Sequence, residues 1–254
     1  MTRARLGGVV AGMLLLLACS VGTSAGDGRP SGSPESTDAA TRAEAMDLLR
    51  SGTEFIDQTS FRVDTDIAGQ VTTLSHVDTV GKRATITISA AGRVVEIRLI
   101  DDEIYLKSEA DLPGVGHRWM VLDPTRVPPD FAVGFAPGKN DPGGSARLID
   151  AVVTARAAAP YVTGTIDVTR MRAGNGINFQ PGPGETFPDS AGSHPFRATL
   201  DADGRLVSFV MPAANGIPDA SLRYSAFGTA VEVIRPEGAT AAPAALYRQL
   251  GLRG

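Results

Sequence analysis

Four stretches of two-residue alternation fall within fifty residues of one another, and nothing else in the chain constrains its fold so strongly. Phe61, Val63, Thr65 and Ile67 alternate with Arg62, Asp64 and Asp66. Ala84, Ile86 and Ile88 alternate with Thr85 and Thr87, and Val95, Ile97 and Leu99 with Glu96 and Arg98. Ile104 and Leu106 alternate with Tyr105 and Lys107. Successive side chains of a strand point to opposite faces, so each stretch reads as a strand with one apolar and one wet face. Gly69-Gln70, Gly81-Lys82, Ala91-Gly92 and Asp101-Asp102 supply the reversals. Antiparallel sheets covered on one side only show this pattern.

The flanking segments supply the cover. Residues Asp38 to Gln58 predict a helix, with Ala45, Leu48, Leu49, Gly52, Phe55 and Ile56 forming one apolar stripe. Asp111 to Gly144 is rich in proline, with Trp119, Phe131 and Phe135 between the prolines, and reads as loops and short turns. Ser145 to Ala158 predicts a second helix with Leu148, Ile149, Val152 and Val153 on its apolar face, stopped by Pro160. Period two returns at Val162, Ile166 and Val168, at Phe196, Ala198 and Leu200, and from Leu206 to Met211, the last two joined by a reversal at Asp201-Ala202-Asp203-Gly204. Further strands are expected at Ser221–Gly228 and Thr229–Ile234, with a mobile Gly/Pro-rich excursion over Gly174–Ser193 and a short helical turn over Ala244–Leu250. The expected fold class is α+β. A single curved antiparallel sheet of about nine to eleven strands wraps over a long N-terminal helix and mid-chain helices.

The N-terminus carries a different signal. Arg3 and Arg5 precede an uncharged apolar run from Gly7 to Ala18, which is the plan of a signal peptide. A membrane-spanning helix needs about 20 apolar residues, and polar Ser20, Thr23 and Ser24 arrive too early for one. Leu16-Leu17-Ala18-Cys19 resembles the bacterial lipobox, in which the cysteine is acylated and becomes the new N-terminus. The expectation is a lipoprotein signal peptide over 1–18, a lipidated flexible tether over 19–36, and a folded domain over 37–254. An ordinary secretory signal with a chance cysteine is the competing reading. Each buried methylene contributes about 0.8 kcal/mol, so two or more acyl chains on Cys19 anchor stably where one binds only marginally. Cys19 is the only cysteine, so no disulfide can form within the chain.

Composition excludes several classes of function. Loss of Arg3 and Arg5 with the signal takes the formal charge from −4 to −6, and no basic patch of the kind nucleic acid requires remains. His76, His117 and His194 are scattered and lack metal-ligand spacing. No serine lies in a GxSxG elbow. Asp201, Asp203 and Gly204 start like a calcium loop but lack the closing glutamate, and Gly182-Pro183-Gly184 has no phosphate-loop context. Asp101, Asp102 and Glu103 read as solvated turn charge, and Trp119 as core before ligand contact. No catalytic residue, metal or cofactor is expected, and no enzyme activity.

Glu103-Ile104-Tyr105-Leu106-Lys107, then Leu112-Pro113-Gly114, then Arg118-Trp119-Met120-Val121-Leu122-Asp123-Pro124 is similar to a recurrent stretch of actinobacterial LolA/LppX-like lipoproteins. The Ala-rich helix followed by Ser60-Phe61-Arg62-Val63 fits the same plan. The resemblance implies a half-barrel with an apolar cavity between sheet and helices. It also implies a non-catalytic carrier, anchored on the extracytoplasmic face of the cell membrane through lipidated Cys19, that binds acylated lipid or lipidated cargo. On that reading the cavity is lined by Leu48, Phe55, Val63, Ile67, Ile86, Ile97, Leu99, Phe131, Phe135 and Val152. Periodicity alone leaves a filled core equally open, and with it the other function class, an envelope interaction or sensing module with a protein partner.

Overall fold

In the computed structural model, which describes residues 34–109, 116–127, 134–136, 138–171, 176–181 and 186–249, the alternating segments pair in one sheet. The signal segment, Cys19, residues 20–33 of the tether and Phe131 lie outside the described residues. The strands are β1 (Ser60–Ile67), β2 (Val71–Asp78), β3 (Arg83–Ala90), β4 (Arg93–Ile100), β5 (Glu103–Ser108), β6 (Met120–Leu122), β7 (Val152–Ala158), β8 (Tyr161–Ile166), β9 (His194–Leu200), β10 (Leu206–Met211), β11 (Ala220–Ser225) and β12 (Thr240–Ala241). The helices are α1 (Pro34–Ser51), α2 (Ser145–Asp150) and α3 (Ala244–Gln249). Strand order is β12-β6-β5-β4-β3-β2-β1-β11-β10-β9-β8-β7. Two meanders therefore meet at the β1–β11 seam, where Val63 lies opposite Tyr224 and Thr65 opposite Leu222.

The α+β curved sheet agrees with the sequence reading, with two differences of detail. The sheet has twelve strands, beyond the expected nine to eleven. It is mixed, because β12 joins β6 in parallel. All other pairs are antiparallel.

Each hairpin end follows from local chemistry. Ala91-Gly92 closes β3 to β4 with both residues at positive φ, and Asp101 takes positive φ in the two-residue turn from β4 to β5. Such primed turns match the twist of the strands they join. The β1–β2 and β3–β4 turns, together with Ser108 and Val152, lie at what is here termed the upper end of the sheet. Ser60, Asp78, Ala158 and Leu200 lie at the lower end.

Three expected elements change. The N-terminal helix starts at Pro34 and stops at Ser51, short of Gln58. Proline suits a first helical turn, whose N–H has no partner in any case. At the other end Gly52 turns its carbonyl to the Leu206 N–H at 2.7 Å, and a β-carbon there would lie 3.1 Å from that nitrogen. Phe55 and Ile56 then sit on a separate 3₁₀ turn, Glu54–Asp57. The second helix ends at Asp150, and Val152–Ala158 is the edge strand β7. The β-branched run Val152-Val153-Thr154 favours a strand, and Pro160 lies in the β7–β8 hairpin turn instead of stopping a helix.

Thr229–Ile234 is not a strand. It runs as a strap across the outer face. Ser60 Oγ donates to the Thr229 carbonyl, Arg98 Nη1 donates to the Ile234 carbonyl, and Arg235 pairs with Glu103. The described parts of Gly174–Ser193 are packed, with Ile177, Phe179 and Ala191 buried. Among the described residues no helix is long and apolar enough to cross a membrane.

Two stability predictions follow from these contacts. A bulge between Val152 and Thr154 folds the Thr154 carbonyl over Gly164, where a β-carbon would stand 1.9 Å from the oxygen. Gly164→Ala is expected to cost about 2–4 kcal/mol by urea unfolding, because backbone must move. His194 is fully buried, its Nε2 donates to the Pro212 carbonyl at 2.9 Å, and its Nδ1 has no partner. Burial lowers the pKa of this imidazole despite that hydrogen bond. The unfolded chain, titrating near 6.5, therefore binds the proton first as pH falls. Stability from the neutral ring is complete above the unfolded value and is lost as pH drops through the folded one. Between neutral pH and mild acid the wild-type chain should lose stability more steeply than His194→Gln, and equal slopes in denaturant titrations would refute this.

Candidate functional site

The inward face of the sheet is assembled by register. One row runs Tyr224–Val63–Ser75–Ile86–Ile97–Leu106–Met120 across seven strands, and every member is buried. The next row toward the lower end holds Phe61, Val77, Ala84, Leu99, Ile104 and Leu122. Toward the upper end come Leu222, Thr65, Thr73, Ile88, Val95 and Ser108. The last row is Ala220, Ile67, Val71 and Ala90. None of these positions is charged.

Cover is unequal over this face. On the β1–β11 side it is filled from within. Phe55 makes edge contacts with Phe61, Tyr224 and Phe227 at centroid distances of 5.5, 5.1 and 4.8 Å. The loop before α2 is clamped to the sheet by Asp141. Its carboxylate accepts the Tyr224 hydroxyl at 2.7 Å, the Gly143 N–H at 2.8 Å, and the Ser145 N–H and hydroxyl at 2.7 and 2.6 Å. Full burial, and then the charge of Asp141, push the Tyr224 hydroxyl well above its ordinary pKa, so it stays protonated and donates. Burial also lowers the pKa of the Arg147 guanidinium, an effect Asp141 opposes. Gly143 has no room for a side chain, because a β-carbon would stand 2.6 Å from Leu222, 2.8 Å from Val63 and 2.9 Å from the Tyr224 hydroxyl.

Toward the upper end of β1 to β4 the cover thins. Ile67, Thr73, Ile88 and Val95 are half-buried although they point inward, and Val71 is 36% exposed. The expected lining residues therefore divide. Val63, Ile86 and Ile97 share one row, Leu99 lies beside them, and Ile67 stands at the open end. Phe55 belongs to the filled side, and Val152 lies at the far edge, paired with Ile166. Phe135 is half-buried against the core. Leu48 is 38% exposed on α1, where Ala45, Met46 and Leu49 are buried among the described side chains. Phe131 is outside the described residues.

The expected lining leaves out Ile88, Val95, Val71 and Thr73. Ile88 and Val95 could have been found, because each stands two residues from Ile86 or Ile97 on the same face. Two surface clefts lie elsewhere. One, of about 620 Å³, is bordered by Asp102, Glu103, Asp123, Arg126 and Tyr247, and the other, of about 490 Å³, lies between α1 and β7–β8. Neither is bordered by an expected lining residue. Trp119 sits on the outer face beneath Arg98 and Lys107, at 4.6 and 5.8 Å from its ring. Among the described residues no three of His, Cys, Asp and Glu gather where they could hold a metal.

Two solved structures are similar to this chain at low identity. The crystal structure of lipoprotein LppX from Mycobacterium tuberculosis is 14% identical, with a TM-score of 0.44, over 76% of this chain and 99% of that one. A DUF1329 family protein from Desulfovibrio piger is 10% identical, with a TM-score of 0.23, over 76% of this chain and 95% of that one. No family model matches the sequence, and no curated protein matches it at a significant level.

The clamp is testable. Tyr224→Phe removes a buried hydrogen bond to a charged acceptor and should cost about 2 kcal/mol, read as a lower denaturant midpoint at unchanged slope.

Proposed function

We propose that this chain is a membrane-anchored extracytoplasmic lipoprotein that holds acylated lipid against the inward sheet face and carries it through the cell envelope. The observation that carries this reading is the uncharged inward face whose burial becomes partial at one end, where Ile67, Ile88 and Val95 are half-buried and Val71 is exposed. Apolar surface that the protein's own side chains do not cover gains about 25 cal/mol for each Å² an acyl chain removes from water. Cys19, acylated as its surrounding sequence implies, would hold the domain at the membrane where such molecules reside. The reading needs no catalytic group, metal or cofactor.

The other function class keeps a specific observation in its favour. The Asp141 clamp and the Phe55 cluster fill the β1–β11 side as a solid core would. A partner-binding module would extend that filling over the whole face.

Purified protein freed of its own anchor should carry lipid that solvent extracts and mass spectrometry detects, and should take up a fluorescent fatty acid. Absence of both would remove the carrier reading. Ile88→Glu places a charge at the half-buried row and should weaken uptake about tenfold or more, since tenfold is only about 1.4 kcal/mol and a charge buried against hydrocarbon costs more.

A further inference from the structure

The direction of α1 relates the anchor to the open end of the sheet. Arg42 Nη2 reaches the Val152 carbonyl at 3.4 Å, at the upper end, whereas the Gly52 carbonyl meets Leu206 at the lower end. The helix thus descends from N to C. Pro34 precedes Arg42 by eight residues, which places the helix start about 12 Å further along the axis at 1.5 Å per residue. By strand direction, that is also the end at which Ile67, Ile88 and Val95 are only half-buried and Val71 is exposed. Only fifteen residue steps (34 minus 19) separate Pro34 from Cys19, a reach of no more than about 50 Å even when fully extended.

A second, independent observation concerns charge. The turns beside the uncovered row are Ala68-Gly69-Gln70 and Ala91-Gly92, small and neutral, with Gly69, Gln70, Ala91 and Gly92 exposed. Asp66 accepts the Gly69 N–H, Asp219 borders the first turn through its carbonyl to the Ala68 N–H, and Arg93 and Glu109 flank the second, so charge lies beside the tips and not on them. Three reversals at the opposite end carry Lys82, Asp101, Asp102, Asp201 and Asp203, and the fourth, Ala159-Pro160, is neutral. A neutral tip can enter the headgroup layer of a bilayer without desolvating charge, and a charged one cannot do so cheaply.

We propose that the β1–β2 and β3–β4 turns are a membrane-docking rim, seated on the bilayer that holds the Cys19 acyl chains, so that the uncovered inward row opens onto lipid instead of water. This rests on the carrier reading and on acylation of Cys19, and it adds the orientation in which exchange occurs. Neutral turn tips, partly exposed apolar row and helix start all lie toward the same strand ends.

The test uses the full acylated chain in vesicles of phosphatidylethanolamine and phosphatidylglycerol. With the Cys19 sulfur carrying lipid, an introduced cysteine is the only free thiol. A nitrobenzoxadiazole label at Gln70→Cys or Ala91→Cys should shift to the blue and be quenched by spin-labelled lipid, and the same label at Lys82→Cys or Ala202→Cys should do neither. Cooperative urea unfolding of each labelled protein reports that its fold is intact. Quenching at the lower-end positions, or equal behaviour at both ends while uptake persists, overturns the docking rim and leaves the carrier reading standing. Quenching at the rim in a protein that takes up no lipid sinks the carrier reading and keeps the rim. Ala91 already sits at positive φ, which aspartate tolerates. Ala91→Asp should therefore slow exchange with vesicles while uptake from solution is unchanged, and unaltered exchange would count against docking.

Discussion

The arrangement depends on one half-buried carboxylate. Asp141 gathers the Tyr224 hydroxyl, the Ser145 hydroxyl and two backbone N–H groups, and so fixes an irregular loop to the floor of the sheet at the seam between its two meanders. A charge there is tolerable only because four donors replace the water it has lost. Gly143 follows from this clamp, because the loop is drawn so close that Val63, Leu222 and Tyr224 leave no space for a side chain. Gly176 then lies against the Gly143 carbonyl, where a β-carbon would come within 1.8 Å, and the segment carrying Ile177 and Phe179 fills the space beyond.

This clamp divides the molecule. On its side of the sheet, loop, 3₁₀ turn and helix supply a core without recourse to any ligand. On the side of β2 to β4 the sheet continues with the same apolar pattern, but its upper rows outrun the cover. The outer surface of that same wing is braced from behind by the strap, through Arg98, Arg235 and the parallel β12.

Much of this was legible in the sequence where a single period dominated. β1, β3, β4 and β5 follow directly from alternation, because their inward residues are large and their outward residues polar. β2 gave no such signal, since Thr73 and Ser75 point inward and Leu74 outward. Val152 misled because Leu148, Ile149, Val152 and Val153 have helical spacing, whereas β-branching and a pairing partner decided for a strand. Residues 229–234 alternate like a strand, yet a neighbouring arginine and the outer face claimed them. Ile177 and Phe179 were hidden in a glycine- and proline-rich stretch that composition alone marks as loose. The site was legible only as a face. Where cover stops depends on loops meeting the sheet across large sequence separations, and no local pattern encodes that.

The seam has a consequence for how the chain acquires its shape. β1 and β11 are neighbours although Val63 and Tyr224 are 161 positions apart (224 minus 63), whereas β1 to β5 join through short local hairpins. Contacts of such separation form late, after the loop-closure entropy has been met. The first meander can therefore assemble early but must wait, its greasy side naked, until the last fifth of the polypeptide arrives. That interval is the one in which self-association is most favoured.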